Sequence, residues 1–139
     1  MQSDQAESAE AICADMLAAQ PNDANVLCLS GKALTTLKKF DDANSRIKKA
    51  MSLYPQFARP HEVNGELLMA QGNLPDAVDA FQMALKLDPS LQRSRIKLGQ
   101  VFLHLGKTND AQKLKEEFME LDQDNKDIAK AVELEKEEK

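Results

Sequence analysis

The feature that most constrains this chain is an internal repeat of 34 residues. Its five glycines fall on two ladders of that step, which are Gly31, Gly65, Gly99 and Gly72, Gly106. Prolines and alanines form two further ladders, namely Pro21, Pro55, Pro89 and Ala9, Ala43, Ala77, Ala111. Random placement would rarely put every glycine of a chain on one period. The chain is therefore expected to consist of stacked copies of one supersecondary unit.

Each unit has the apolar spacing of two helices. Val63, Leu67 and Leu68 recur at intervals of three and four within one run, and residues 75–87 follow the same rule, which indicates helix and not strand. A turn signal, Gln71-Gly72-Asn73, separates the two runs. Because one helix pair cannot bury both of its faces, the pairs must stack on each other. The predicted fold is all-α, a right-handed superhelical solenoid of antiparallel helix pairs.

This pattern resembles the tetratricopeptide repeat family, which has the same period and the same order of small and aromatic residues. Residues 58–91 carry the best match, with Gly65, Leu68, Ala77, Phe81, Ala84 and Pro89 at the family's marked positions. The resemblance implies one domain over residues 1–139. It divides into a half repeat at 6–23, full repeats at 24–57, 58–91 and 92–125, and a C-terminal capping helix at 126–139. In that last helix, Ile128, Ala131 and Val132 are expected to face inward. Lys115, Phe118 and Gln123 depart from the pattern and predict a looser final unit.

A chain that starts with half a repeat and ends on one helix is expected to be a fragment or one end of a longer polypeptide. Its first and last segments contain AEAICADMLAAQPNDA and DIAKAVELEK. These strings are also similar to the N-terminal repeats of bacterial tetratricopeptide proteins that carry a C-terminal sulfotransferase domain. The alternative function is therefore an interaction or oligomerisation module of a larger enzyme such as a sulfotransferase.

The segment itself shows no recognisable catalytic chemistry. The sequence contains no GxxxxGK[ST], GxGxxG, HExxH or GxSxG pattern and no Cys/His pair at metal-ligand spacing. His61 is interpreted as a helix-packing residue and His104 as a residue near the end of a first helix. Cys13 is interpreted as a small core residue, with Cys28 more exposed. We therefore expect no enzymatic activity, no catalytic residue, no metal and no cofactor in this segment.

Charge and composition exclude several partner classes. The first 24 positions hold five acidic residues and no Lys or Arg, whereas residues 25–139 hold 18 acidic and 18 basic residues. A basic face and aromatic stacking platforms for nucleic acid are both missing. The sequence has no apolar run long enough to cross a membrane. Two unpaired thiols favour a reducing compartment, so the expected location is cytoplasmic.

The resemblance implies that the first helices of successive repeats line a concave groove that binds a peptide or protein segment. By register, the groove residues are Asn25, Lys32, Thr35, Arg59, Glu62, Glu66, Met69, Arg93, Ile96, Lys97 and Gln100. Some family members hold acidic chaperone C-termini with a clamp of Lys, Asn and Arg. The clamp positions are occupied by Cys28, Lys32, Val63, Arg93 and Lys97. Only Arg93 and Lys97 keep the needed chemistry, and Cys28 and Val63 cannot donate such hydrogen bonds, which disfavours that ligand but leaves capture of a carboxylate by Arg93 and Lys97 open.

Three hypotheses therefore stand. The preferred one is a non-catalytic protein–protein interaction scaffold that uses the concave groove. The second is the enzyme module described above. The third is self-association through exposed repeat ends, because the half repeat at the N-terminus lacks a packing partner and can bury its apolar face on another chain.

Overall fold

The computed structural model describes residues 2–137, in which the chain forms seven helices. Their bounds are Ser3–Ala19 (α1), Ala24–Thr36 (α2), Phe40–Leu53 (α3), Ala58–Ala70 (α4), Leu74–Leu87 (α5), Gln92–His104 (α6) and Thr108–Glu137 (α7). Helices α2, α4 and α6 each pack on the helix that follows, and each resulting pair packs on the next pair. The predicted all-α solenoid of helix pairs is confirmed.

The turn inside each pair is built the same way three times. Residues 34 positions apart adopt a positive φ there: Lys38 (59°), Gly72 (77°) and Gly106 (73°). The next amide donates to a carbonyl five residues earlier, as Asn73 N does to Leu68 O at 2.9 Å. Glycine enters the left-handed region without a steric cost, whereas a residue with a Cβ does not. Lys38 is therefore strained at a position where the other two repeats carry glycine.

Glycine in the first helix of a pair allows close approach of the second helix in two repeats. A Cβ on Gly31 would lie 2.6 Å from Ile47 Cγ1, and a Cβ on Gly65 would lie 2.7 Å from the Phe81 ring. At Gly99, the same atom would meet only Leu114, at 3.9 Å. The third pair lacks the inserted side chain because Lys115 occupies the position of Ile47 and Phe81. The expected looser packing of the final unit is observed here.

The core consists of two clusters of buried side chains. One joins α1 to α4 and contains Cys13, Leu17, Leu27, Ile47 and Leu67 among others; the second joins α5 to α7 through residues such as Phe81, Leu98, Val101 and Phe102. Cys28 belongs to the first cluster and is 1% exposed. The expectation that Cys28 is more exposed was wrong, because its side chain lies among the apolar residues of that cluster.

The C-terminal end differs from the sequence expectation. In place of a link near residue 125 and a separate helix over 126–139, α7 runs unbroken to Glu137. Gln123 stands where earlier repeats have proline, and its amide donates to Asp127 at 3.0 Å, while Lys126 pairs with Asp122 at 3.1 Å. These contacts bridge the expected link and favour a continuous helix. Residues 138–139 of the expected capping helix lie outside the described residues.

The inward packing expected for the capping helix is also missing. Ile128 is 62% exposed and Val132 is 47% exposed, although the repeat register placed both against the preceding pair. Since both residues belong to the unbroken α7, they are not on a separate helix that could fold back over the core. The second half of α7 is therefore held by its own backbone hydrogen bonds and not by tertiary burial.

Candidate partner-binding surface

The residues predicted to line a groove lie on α2, α4 and α6, which pack in sequence, α2 on α4 and α4 on α6. Five of them are exposed: Asn25, Arg59, Arg93, Ile96 and Gln100. The other six are half-buried: Lys32, Thr35, Glu62, Glu66, Met69 and Lys97. The fold therefore gathers the predicted set on three successive helices, and a binding role for the set stays a prediction.

Polar contacts tie α4 to α6. Arg93 Nε donates to Glu66 Oε1 at 2.5 Å, and the Ser94 hydroxyl donates to Glu62 Oε2 at 2.5 Å. Ser94 is fully buried, so its hydroxyl needs this acceptor to avoid a desolvation penalty. Both carboxylates of the predicted groove are therefore engaged by the next helix, which lowers their availability to a cationic partner.

The junction between α2 and α4 differs in charge, because it carries two cationic side chains where the α4–α6 junction has an ion pair. Lys32 on α2 and Arg59 on α4 are both cationic, and neither forms an ion pair within the described part of the chain. Beneath them, burial raises the pKa of the Cys28 thiol to about 11, a shift that Arg59 opposes and Glu62 reinforces. The guanidinium of Arg59 thus acts across the junction on a residue of α2, and the thiol stays protonated at neutral pH.

Two predicted groove residues are partly used by the fold itself. The Thr35 hydroxyl donates to the Gly31 carbonyl of its own helix at 2.8 Å. Met69 packs against the second core cluster. The Thr35 hydroxyl and the Met69 side chain are therefore less available for contacts with a partner than the exposed cations and amides of the set.

Helix α6 combines apolar and cationic surface. Ile96 is 53% exposed and Leu103 is 58% exposed. A shallow depression of about 440 Å³ is lined by Gln92, Arg93, Ile96 and Lys97. Helix α6 thus presents an exposed aliphatic side chain between basic residues.

Sequence reasoning missed the buried serines that join neighbouring helices. Ser94 bonds to Glu62, and Ser30 donates to Glu10 Oε2 at 2.7 Å, which ties α2 to α1. Both serines are fully buried. The available signal was a small polar residue where another repeat has an apolar one, since Ser94 stands one period after Pro60.

The histidines stay apart in the structure. His61 is half-buried on α4, and His104 is exposed at the end of α6 with its Nδ1 2.8 Å from the Gln100 carbonyl. Within residues 2–137, no group of three His, Cys, Asp or Glu side chains is placed to hold a metal ion. Of the helices described, none is long and apolar enough to cross a membrane.

Comparison with known proteins supports the repeat assignment. Two models described as tetratricopeptide repeat match the sequence, one over residues 28–92 and the other over residues 68–134. Together the two matches span residues 28–134, well over half of the chain. No curated protein matches it.

Solved structures share the fold at low identity. MamA (residue 41 to the end) of Desulfovibrio magneticus RS-1 superposes with a TM-score of 0.73 at 21% identity, covering 86% of this chain and 68% of MamA. The first tetratricopeptide repeat domain of human RPAP3 superposes with a TM-score of 0.67 at 20% identity, covering 76% of this chain and 83% of that domain. The first tetratricopeptide repeat of Spaghetti (RPAP3), bound to the HSP90 peptide SRMEEVD, superposes with a TM-score of 0.65 at 20% identity. The match covers 73% of this chain and 81% of that one.

Proposed function

The chain belongs to the tetratricopeptide repeat family, and we propose that it is a non-catalytic scaffold that binds a peptide or protein segment along α2, α4 and α6. The observation that carries this proposal is the succession of exposed polar and basic side chains on these three helices. The proposed contacts are Asn25, Lys32, Thr35, Arg59, Glu62, Glu66, Met69, Arg93, Ile96, Lys97 and Gln100. The RPAP3 domain, which shares the fold, is bound to a peptide in its structure.

A chaperone C-terminus of the HSP90 type fits this surface poorly. Cys28 and Val63 stand where the family's carboxylate clamp has donors, and both side chains are buried and apolar. A buried thiol or valine cannot replace an ammonium or amide donor. The proposed partner is therefore a segment other than a chaperone C-terminus. The proposed location is the cytoplasm, because two free thiols are typical of a reducing compartment.

The experiment is a capture assay with charge-reversed variants. Arg59→Glu with Arg93→Glu changes two exposed groove cations, and Lys48→Glu with Lys86→Glu makes the same charge change on the second helices α3 and α5. We expect the first pair to weaken partner capture and the second to leave it unchanged, with equal helicity in both. Equal capture by all proteins would refute the groove as the binding surface.

Self-association is a second candidate, favoured by the apolar surface of α1. Ile12 is 60% exposed and Met16 is 49% exposed. Met16 stands one period before Ala50, which is fully buried in the next repeat. A second chain packed on this face would complete the repeat. Sedimentation should show concentration-dependent dimers that disappear on Ile12→Glu; a monomer at every concentration would remove this candidate.

A further inference from the structure

The last helix pair, α6 and α7, has an unfilled space at a position that a side chain fills in both earlier pairs. In those pairs, Ile47 and Phe81 lie directly against Gly31 and Gly65 and are fully buried. The residue at the same repeat position in the last pair is Lys115, which is exposed. The space exists because the chain departs here from the aromatic residue of the family pattern.

The unfilled space is a depression of about 210 Å³ between α6 and α7. Its apolar lining consists of Ile96, Gly99, Ala111, Leu114 and Phe118, and two cationic residues, Arg95 and Lys115, complete it. An apolar cavity of roughly 150 Å³ is known to accept benzene. The depression therefore has room for one aromatic ring.

The residues around the depression are less covered than their equivalents in the earlier pairs. Ala111 is half-buried, whereas Ala43 and Ala77 are fully buried, and Gly99 is half-buried, whereas both of its equivalents are buried. Helices α4 and α6 cover the two earlier pairs, but within the described part of the chain α7 packs only on α6. An incoming side chain can therefore reach the depression from solvent.

We propose that this depression, which we call the anchor site, receives one aromatic side chain of the bound segment, in the space that Phe81 fills in the preceding pair. This inference rests on the proposed scaffold function and adds the chemistry of one contact. The internal repeat defines the shape of the occupant, because an apolar side chain already fits against the equivalent glycine in two pairs. Ile96 connects the anchor site to the predicted groove, since it also lines the depression that contains Arg93 and Lys97.

The cationic part of the lining favours an aromatic over an aliphatic occupant. The Arg95 guanidinium already lies 4.4 Å from the centroid of the Phe118 ring. Arginine and lysine are attracted to the face of an aromatic ring, which an aliphatic side chain does not offer. A second ring beside Arg95 and Lys115 would gain this attraction in addition to burying its apolar surface.

The first test fills the anchor site with the protein's own side chain. Lys115→Phe restores the residue type of the preceding pair, and Lys86→Phe makes the same change at an exposed position of α5. We expect the urea midpoint to rise for Lys115→Phe only. Adding Gly99→Ala to Lys115→Phe should lower the midpoint again, because the new Cβ would meet the ring as it would at Gly65. A Lys115→Phe variant no more stable than the unmodified chain would overturn the geometry.

The second test uses N-acetyl-phenylalanine amide as the probe and N-acetyl-leucine amide as its aliphatic control. Binding is followed by the ¹³C-methyl chemical shifts of Ile96 and Leu114. We expect saturable shifts with a dissociation constant of about 1–10 mM for the phenylalanine amide, as for a ligand of this size. The leucine amide should bind about threefold more weakly, because it lacks the cation–π contact.

The same variants locate the bound probe. Lys115→Phe should abolish the shifts, because its own ring occupies the anchor site, and Lys86→Phe should leave them unchanged. Absence of binding, equal binding of the two amides, or shifts that persist in Lys115→Phe would each overturn the proposal.

The capture assay separates the anchor site from the groove. We expect Lys115→Phe to weaken partner capture and Lys86→Phe to leave it unchanged. Capture that is lost with Arg59→Glu and Arg93→Glu but unchanged in Lys115→Phe would overturn the anchor site while the groove stands. Capture that is lost in Lys115→Phe alone, in a protein whose anchor site binds the probe as expected, would support the anchor site and refute the groove as the binding surface.

Discussion

Three glycines at the same repeat position should respond to alanine with opposite signs. At Gly31 and Gly65, the new Cβ would lie 2.6 Å from Ile47 Cγ1 and 2.7 Å from Phe81 Cε1, respectively. Ile47 and Phe81 are both fully buried, so neither can move aside without disturbing the core. At Gly99, the nearest atom is Leu114 Cδ2 at 3.9 Å, which is an ordinary van der Waals contact.

The magnitudes follow from two opposing terms. Alanine gains about 1 kcal/mol over glycine inside a helix. Overpacking a tight core costs about 1–3 kcal/mol. Gly65→Ala should therefore lower the free energy of unfolding by about 1 kcal/mol, whereas Gly99→Ala, which meets no clash, should raise it by about 1 kcal/mol.

Urea denaturation followed by circular dichroism measures these differences, with Gly65→Ala in a Phe81→Leu background as the control. Removing the ring should recover part of the loss at Gly65, because the clash is with that ring. The reasoning is refuted if Gly65→Ala and Gly99→Ala shift the free energy of unfolding in the same direction.

The remaining predictions concern a turn, a thiol and the last helix. Lys38→Gly should raise the free energy of unfolding by about 1 kcal/mol by relieving the positive φ; equal urea midpoints would contradict this strain. The raised pKa of Cys28, about 11, means that the unfolded chain loses the thiol proton first as pH rises, so stability should fall between pH 9 and 11, and less so in Cys28→Ala; identical pH profiles would exclude it. Gln123→Pro should remove helical signal beyond that residue while hydrogen exchange in α2 to α5 stays unchanged; faster exchange there would show that the end of α7 supports the core.

The periodic part of the fold was predictable because each unit repeats the same local rules. Gly72 and Gly106 mark the turns, and the spacing of apolar residues marks both helices of a pair. The step of 34 residues then fixes the stacking order. Lys38 shows the limit of such rules, since the turn forms there without glycine because the rest of the repeat imposes it.

The side-chain contacts of the candidate surface were not predictable in the same way. The bonds from Arg93 to Glu66 and from Ser94 to Glu62 join residues that are 27 and 32 positions apart, on different helices. Their formation depends on the offset between neighbouring helices, which spacing within one helix does not define. The sequence placed these residues on the right helices but did not show which charges are already paired.

The continuous α7 was missed for a different reason. The repeat register predicted a break near residue 125, but a register gives only a position and not the residues that enforce a break. Pro55 and Pro89 follow the last helix of the preceding units and cannot continue it, because proline lacks a backbone N–H. Gln123 retains its N–H, so the helix can continue through it. Local chemistry therefore outweighed periodicity at this end of the chain.

The most direct test of the proposed binding surface is amide chemical-shift mapping of the ¹⁵N-labelled chain with the partner segment recovered by capture. We expect the largest changes on α2, α4 and α6, centred on Lys32, Arg59 and Lys97, with small changes on α3 and α5. Changes concentrated on α3 and α5, with the first helices unaffected, would contradict the assignment of the groove as the site of function.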